Sequence, residues 1–322
     1  MIAFFLITSD VVYLVQGLEV LIMTSTSPSL QPGSMAPYGA LPVPRLTPEL
    51  LKLVRTGTVY SLTVIHTEGM PVPGPMVPYT LSPRIRHGDL IDIAPASAAA
   101  EVITMSAHTG THIDALCHVG EHQNEQGIPD PDGNVRLFSP DGNLVSAAET
   151  GTMNGQTYLS IAEMPPIVTR GILLDIAGFK GVSVLPDNYQ ITPEDILGTL
   201  ARQETSVQPG TAVLIRTGFL QHWHNNHPVY KDAISGINLE AAKLLLSQGM
   251  ILAGADNMSV EALPPLSHPV HRFLITHHGV SHLENVYLDD LAEQHVYEFL
   301  LIVTPLRLQG STGSWVHPIA IA

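Results

Sequence analysis

A chain of 322 residues, 45% hydrophobic and 13% charged, is long and apolar enough to bury a substantial core. Its formal net charge of −15, with no Lys/Arg-rich run, lacks the electrostatic footprint of a nucleic-acid binder and would be repelled by an anionic membrane. A single cysteine, Cys117, excludes an internal disulfide, so the expectation is a cytoplasmic protein acting on a small molecule. In chain order, residues 1–23 are apolar but carry Asp10 and Glu19 with no Lys or Arg before them, which suits neither a membrane span nor a signal peptide. Residues 24–46 are rich in Ser, Pro and Gly. Residues 1–46 therefore read as an N-terminal extension, poorly ordered or the product of an over-long gene start, with a weak membrane anchor over residues 1–23 as the alternative, and residues 47–322 as one domain. Apolar β-branched runs at 58–65, 101–106, 171–176, 211–215, 250–253 and 299–303 predict strands. Thr192-Pro193-Glu194-Asp195 predicts a capped helix start, Asn238 caps a helix over 239–248 closed by Gly249, and Ser267 or His268 before Pro269 opens another to Gly279. Strands alternating with helices predict an α/β fold. The polar, turn-rich segment 119–156 reads as a long loop, either a lid or a dimer contact.

Histidine is the outlier of the composition: 16, against 14 Lys and Arg together. It is the commonest metal ligand, and the residues cluster. Residues 107–118 read AHTGTHIDALCH, placing His108, His112, Asp114 and His118 at even spacings. An extended chain would turn all four to one side, yet six residues of strand span about 20 Å, too far for His108 and Asp114 to share an ion bound at about 2 Å. A helix would set 112 and 114 on opposite faces. The chain must bend, and Gly110 permits it: a strand ending near His108, a glycine turn and a helix starting near Asp114. Two imidazoles and a carboxylate suit Zn, Mn or Fe, and the spacing is not that of a helical metalloprotease motif.

Around this motif, residues 166–177 (PIVTRGILLDIA), 213–218 (VLIRTG), 254–261 (GADNMSVE), 268–291 and 310–321 (GSTGSWVHPIAI) resemble, in the same order, blocks of the cyclase family of metal-dependent hydrolases, which includes bacterial kynurenine formamidase and isatin hydrolase. The resemblance covers residues 47–322 and implies a single mixed-sheet α/β domain of the swivelling β/β/α type. It further implies metal binding by His108, His112 and Asp114, and a catalytic role for His118. A later His and Glu would complete a binuclear site, best matched by His271 and Glu284 in PVHRFLITHHGVSHLEN. That spacing is one residue longer than in the formamidases, and His268, His277, His278 and His282 are rivals of His271. The implied cofactor is a divalent metal, Zn or Mn, as one or two ions; the implied assembly is a homodimer or homotetramer. The implied reaction is hydrolysis of an amide-type C–N bond in an aryl-formamide, lactam or cyclic imide, by metal-activated water with His118 as general base. A lyase or cyclase acting on a polyketide-like or hydroxy-acid substrate, and a non-catalytic metal-binding protein, are the alternatives.

Outside the motif the plainer roles lead. Hydrogen bonding and packing account for His222, His224, His227, His295, His317, Trp223 and Trp315. Cys117 reads as a small packed residue. Arg216 reads as an ion pair or a holder of a substrate carboxylate, Asp256 and Glu261 as pocket liners or caps. The nucleophile-elbow, P-loop and dinucleotide-binding motifs are missing from the sequence.

Overall fold

The computed structural model describes residues 5–8, 11–16, 19–23, 37–72, 74, 76–122, 135–223 and 229–322. The chain divides into two units, residues 1–35 and residues 36–322. In the first, Phe5–Thr8, Val11–Gln16 and Glu19–Met23 pair as a three-stranded antiparallel meander. Poor order over residues 24–36 is an expectation that lies outside the described residues.

The second unit begins earlier than the expected boundary at residue 46. Tyr38 and Leu41 are buried in its core. The Tyr38 hydroxyl donates to the Leu159 carbonyl and accepts from the Leu116 amide at 2.9 Å, and the Ala40 amide donates to the Gly279 carbonyl at 2.8 Å. The Ser/Pro/Gly composition of this stretch concealed two anchors whose partners are distant in sequence.

Among the described residues, nine strands of this unit form one sheet: β1 (Val59–Ser61), β2 (His112–Asp114), β3 (Ile167–Asp175), β4 (Thr211–Arg216), β5 (Met250–Ala255), β6 (Ser281–Glu284), β7 (Glu298–Val303), β8 (Gly313–Trp315) and β9 (Ile319–Ile321), in spatial order β8-β2-β6-β5-β4-β3-β7-β9-β1. The centre is parallel, β3 on β4, β4 on β5 and β5 on β6, and both wings are antiparallel. This is the mixed α/β sheet expected from the sequence. The central strands are near-continuous apolar runs because both of their faces are covered. Ile172, Leu174, Val213 and Ile215 pack with Ile196, Leu200, Ala241 and Leu245 of the helices α1 (Pro193–Arg202) and α2 (Leu239–Ser247). Leu173, Leu214 and Leu252 pack on the other face with Leu116, Phe138 and Ile161. Each such buried aliphatic side chain stabilises the fold by about 1.5–3 kcal/mol.

Both helices start as predicted. Thr192 and Asp195 form a reciprocal capping box, and the Asn238 side chain accepts from the Ala241 amide at 2.9 Å. Gly249 adopts φ +95° just past the end of α2, a conformation that favours glycine. The predicted strand at 101–106 forms, as Ala100–Thr104, but pairs only with Thr80–Ile85 in an exposed ribbon outside the main sheet. Segment 119–156 is not structureless: Glu121–His122, Val135–Leu137 and Val145–Ser146 make a small antiparallel sheet. Among the described residues, no helix is long and apolar enough to cross a membrane.

Candidate metal centre

The site is built where β2 slots between β6 and β8. His112 pairs with Glu284 on one side and Trp315 on the other, and Asp114 pairs with Gly313. Side chains alternate along a strand, so His112 and Asp114 leave one face while Ile113 enters the core between them. The expected helix starting near Asp114 is therefore corrected to a strand followed by a turn, closed by the His118 amide donating to the Ala115 carbonyl at 3.0 Å. The expected glycine bend is present at Gly110. Gly110 has φ +71°, and a Cβ there would run into the His66 ring.

That bend returns His108 to Asp114, with Nδ1 2.8 Å from Oδ1, while its Nε2 lies 2.9 Å from Thr312 Oγ1. Gly313 makes room for the ring: a Cβ there would sit 2.6 Å from His108 Cε1. His112 Nδ1 is 2.8 Å from the Gly110 carbonyl, which turns Nε2 towards Asp114 at 3.6 Å and Glu284 at 3.4 Å. The His118 ring stacks on His108 with centroids 3.9 Å apart, and its Nε2 is 4.0 Å from Asp114 Oδ1.

His271 arrives from the far end of the sequence. Its Nδ1 bonds to Glu261, and its Nε2 stands 3.4 Å from Glu284 Oε1. The helix between His271 and Glu284 opens as Pro269–His271 and widens into a π-helical segment over Arg272–His277. Of the rivals, His277 pairs with Glu121 at 2.5 Å near the surface, His278 bonds the Phe273 carbonyl at 2.7 Å, and His268 lies on the outer side of Glu261 at 3.2 Å. His282 alone among them joins the buried cluster around Glu284.

The donors fit a metal. Ligand atoms of Asp114, His271, His282 and Glu284 lie within 4.8 Å of one another, as do those of His108, Asp114 and His118. Asp114 belongs to both groups, is 1% exposed, and its Oδ2 has no hydrogen-bond partner. Burial alone would raise the Asp114 carboxyl, but His118, His108 and His112 hold it well below the usual carboxylate range. Glu284 is likewise lowered, since bonds to His112 and His271 outweigh its burial. His112 is raised by Glu284 and Asp114 against the effect of burial, and His271 by Glu261 and Glu284 in the same way. The meeting point of these groups attracts positive charge, which ring protons or a divalent ion supply, and ion binding there releases protons. Burial pulls His118 the other way, to about 4, against the attraction of Asp114. With its side chain 25% exposed, His118 presents a neutral ring at the site.

Glu261 is the residue whose role the sequence left open, and its contacts settle it. Fully buried, it accepts from His271 Nδ1 and from the Val270 amide at 2.9 Å, which fixes the tautomer that aims His271 Nε2 inwards. Glu261→Gln should weaken metal binding roughly 10- to 100-fold, measured by titration calorimetry; an unchanged affinity would remove Glu261 from the account.

Other candidates resolve into structural roles. Arg216 pairs with Asp289 at 2.7 Å and Asp175 at 2.9 Å, an ion-pair bridge rather than a substrate clamp. Asp256 accepts from the Thr217 and Gly218 amides at 2.8 and 2.7 Å. His295 bonds Tyr297 at 2.9 Å, His317 bonds Ser61 at 2.8 Å, and Trp315 donates to the Ser106 carbonyl at 2.7 Å. Trp223 is buried against Tyr230. His224 and His227 lie outside the described residues. Cys117 is buried, and burial pushes its thiol up to about 12. Its alkylation by iodoacetamide at pH 8 should therefore be slow in the folded protein and rapid in denaturant, since only the thiolate reacts; equal rates would revive a thiol route.

The cyclase family model matches residues 60–262. Kynurenine formamidase of Bacillus cytotoxicus is 28% identical over 217 residues, 67% of this chain and 77% of that protein. The crystal structure of a novel cyclase superposes with a TM-score of 0.74 at 30% identity, covering 86% of this chain and 92% of that one. Isatin hydrolase A from Ralstonia solanacearum shares the fold, with a TM-score of 0.59 at 19% identity over 86% of this chain and 99% of its own. With the family model spanning more than half of its length and a superposable cyclase around the same sheet, this chain belongs to the cyclase family.

Proposed function

We propose that this protein is a metal-dependent hydrolase that cleaves an amide-type C–N bond in a small aryl-formamide, lactam or cyclic imide. The observation that carries this reading is Asp114, a buried carboxylate with one unpartnered oxygen shared by two histidine-rich donor groups, with a partly exposed neutral His118 beside it. His108, His112 and Asp114 would hold one ion, and Asp114, His271 and Glu284 a second; nitrogen and oxygen donors of this kind suit Zn or Mn. A divalent ion held there supplies an activated water and a Lewis acid for the carbonyl oxygen. The protein's own groups do the rest. His118 Nε2 accepts the proton of the attacking water and returns it to the departing nitrogen. The Gly110 carbonyl and Glu261 hold His112 and His271 in the tautomers that face inwards.

The formamidase relative supports the aryl-formamide class, whereas the isatin hydrolase likeness supports only the fold that a lactam-cleaving site would share. The chain is further proposed to act in the cytoplasm as a homodimer or homotetramer. The ribbon of Thr80–Ile85 and Ala100–Thr104 supports the assembly, since it leaves Leu81, Val102 and Ile103 exposed, and Ile91 on its connection. A screen of N-formyl anilines, lactams and cyclic imides against purified protein tests the function. Hydrolysis of one class, abolished by chelator and restored by Zn or Mn, is expected. Full activity after chelation, or metal-loaded protein inert to all three classes, would refute the reading.

A further inference from the structure

The strand β6 carries His282 and Glu284 two residues apart, so both side chains leave the same face. His282 is 0% exposed, and neither of its ring nitrogens has a hydrogen-bond partner. A neutral imidazole offers one N–H and one lone pair, and protein interiors leave such groups unmet only rarely. Its surroundings are those of the donor cluster. The ring lies against His271 with centroids 4.4 Å apart, and Nδ1 is 4.0 Å from Glu284 Oε1, too long for a hydrogen bond. Two ligand atoms about 2.1 Å from a common ion stand about 3–4 Å apart, and Glu284 Oε1 lies 3.4 Å from His271 Nε2 and 4.0 Å from His282 Nδ1.

Resting on the metal reading above, we propose that His282 is itself a metal ligand, so that Asp114, His271, His282 and Glu284 form a four-donor site for the second ion. A site with four protein donors is closed, like structural zinc sites. The position beside His108, His112 and His118 is then the one that retains a place for substrate. An ion at the closed site would lend charge and order to Asp114 and Glu284, and an ion beside His108 and His112 would be the one open to substrate.

The test is metal binding by the full chain, with Zn and Co(II) as probes and no substrate present. Wild type should bind two ions per chain. His282→Leu should retain one and lose the other, or bind it more than about 100-fold more weakly, a larger effect than loss of an outer-shell partner. His282→Cys should keep two Co(II) ions and gain a sulfur-to-cobalt charge-transfer band absent from wild type, a signal that still decides the matter if the leucine variant does not fold. Two ions bound by His282→Leu at wild-type affinity, or a cysteine variant without the new band, would overturn the proposal while leaving the metal reading intact. Wild type that takes up no ion would overturn both.

Discussion

Asp114→Ala should bind neither ion and show turnover no higher than background. Asp114 stands in two donor groups: one of its oxygens meets His108 at 2.8 Å, His112 at 3.6 Å and His118 at 4.0 Å, and the other has no hydrogen-bond partner. Removing it takes an anionic donor from both ion positions at once, and leaves histidines to hold a dication without the carboxylate they surround. A ligand stabilises the bound ion in every state of the reaction, so the loss appears in metal content before it appears in rate. Metal analysis of the purified variant checks this. Two ions retained at wild-type affinity would show that Asp114 is not a ligand.

His118→Ala should behave in the opposite sense, keeping near-normal metal content while turnover falls about 100- to 10,000-fold, the range for loss of one general acid–base group. His118 shares a donor group with His108 and Asp114 but differs from both in its exposure. It is the most exposed ring of the motif, it stacks on His108 instead of sharing a proton with a carboxylate, and its surroundings favour the neutral form. Those features suit a group that moves a proton between water and a leaving nitrogen. If His118→Ala loses metal as completely as Asp114→Ala, His118 is a ligand and the proton carrier must be sought elsewhere.

Much of this site was legible in the sequence because its densest part is local. His108, Gly110, His112, Asp114 and His118 lie within eleven residues, and a chemical spacing survives an error in secondary structure. The secondary structure itself was legible where it depends on local signals. The Thr192 and Asn238 caps and the apolar runs of β3, β4 and β5 all appear where predicted. What escaped depends on distant partners. The helix expected at Asp114 is a strand because Glu284 and Trp315 flank His112 in the sheet. The strands β2, β6 and β8 are three or four residues long, and two of them are rich in donors, so none presents an apolar run. His271 owes its place to Glu261 on one side and Glu284 on the other, contacts that no periodicity announces. His282 did leave a signal, since it sits two residues before Glu284 and any strand through both must turn them to one face. Tyr38 left none, for its hydroxyl bonds to Leu159 and Leu116, both far along the chain.

In the proposed reaction a divalent metal and a separate proton-carrying histidine act together on a C–N bond. Metal stoichiometry and turnover of one formamide, measured on the same preparations of wild type and His118→Ala, test it most directly. Equal metal content is expected in the two proteins, with a turnover lower by about 100-fold or more in the variant. Equal metal and equal turnover would contradict it.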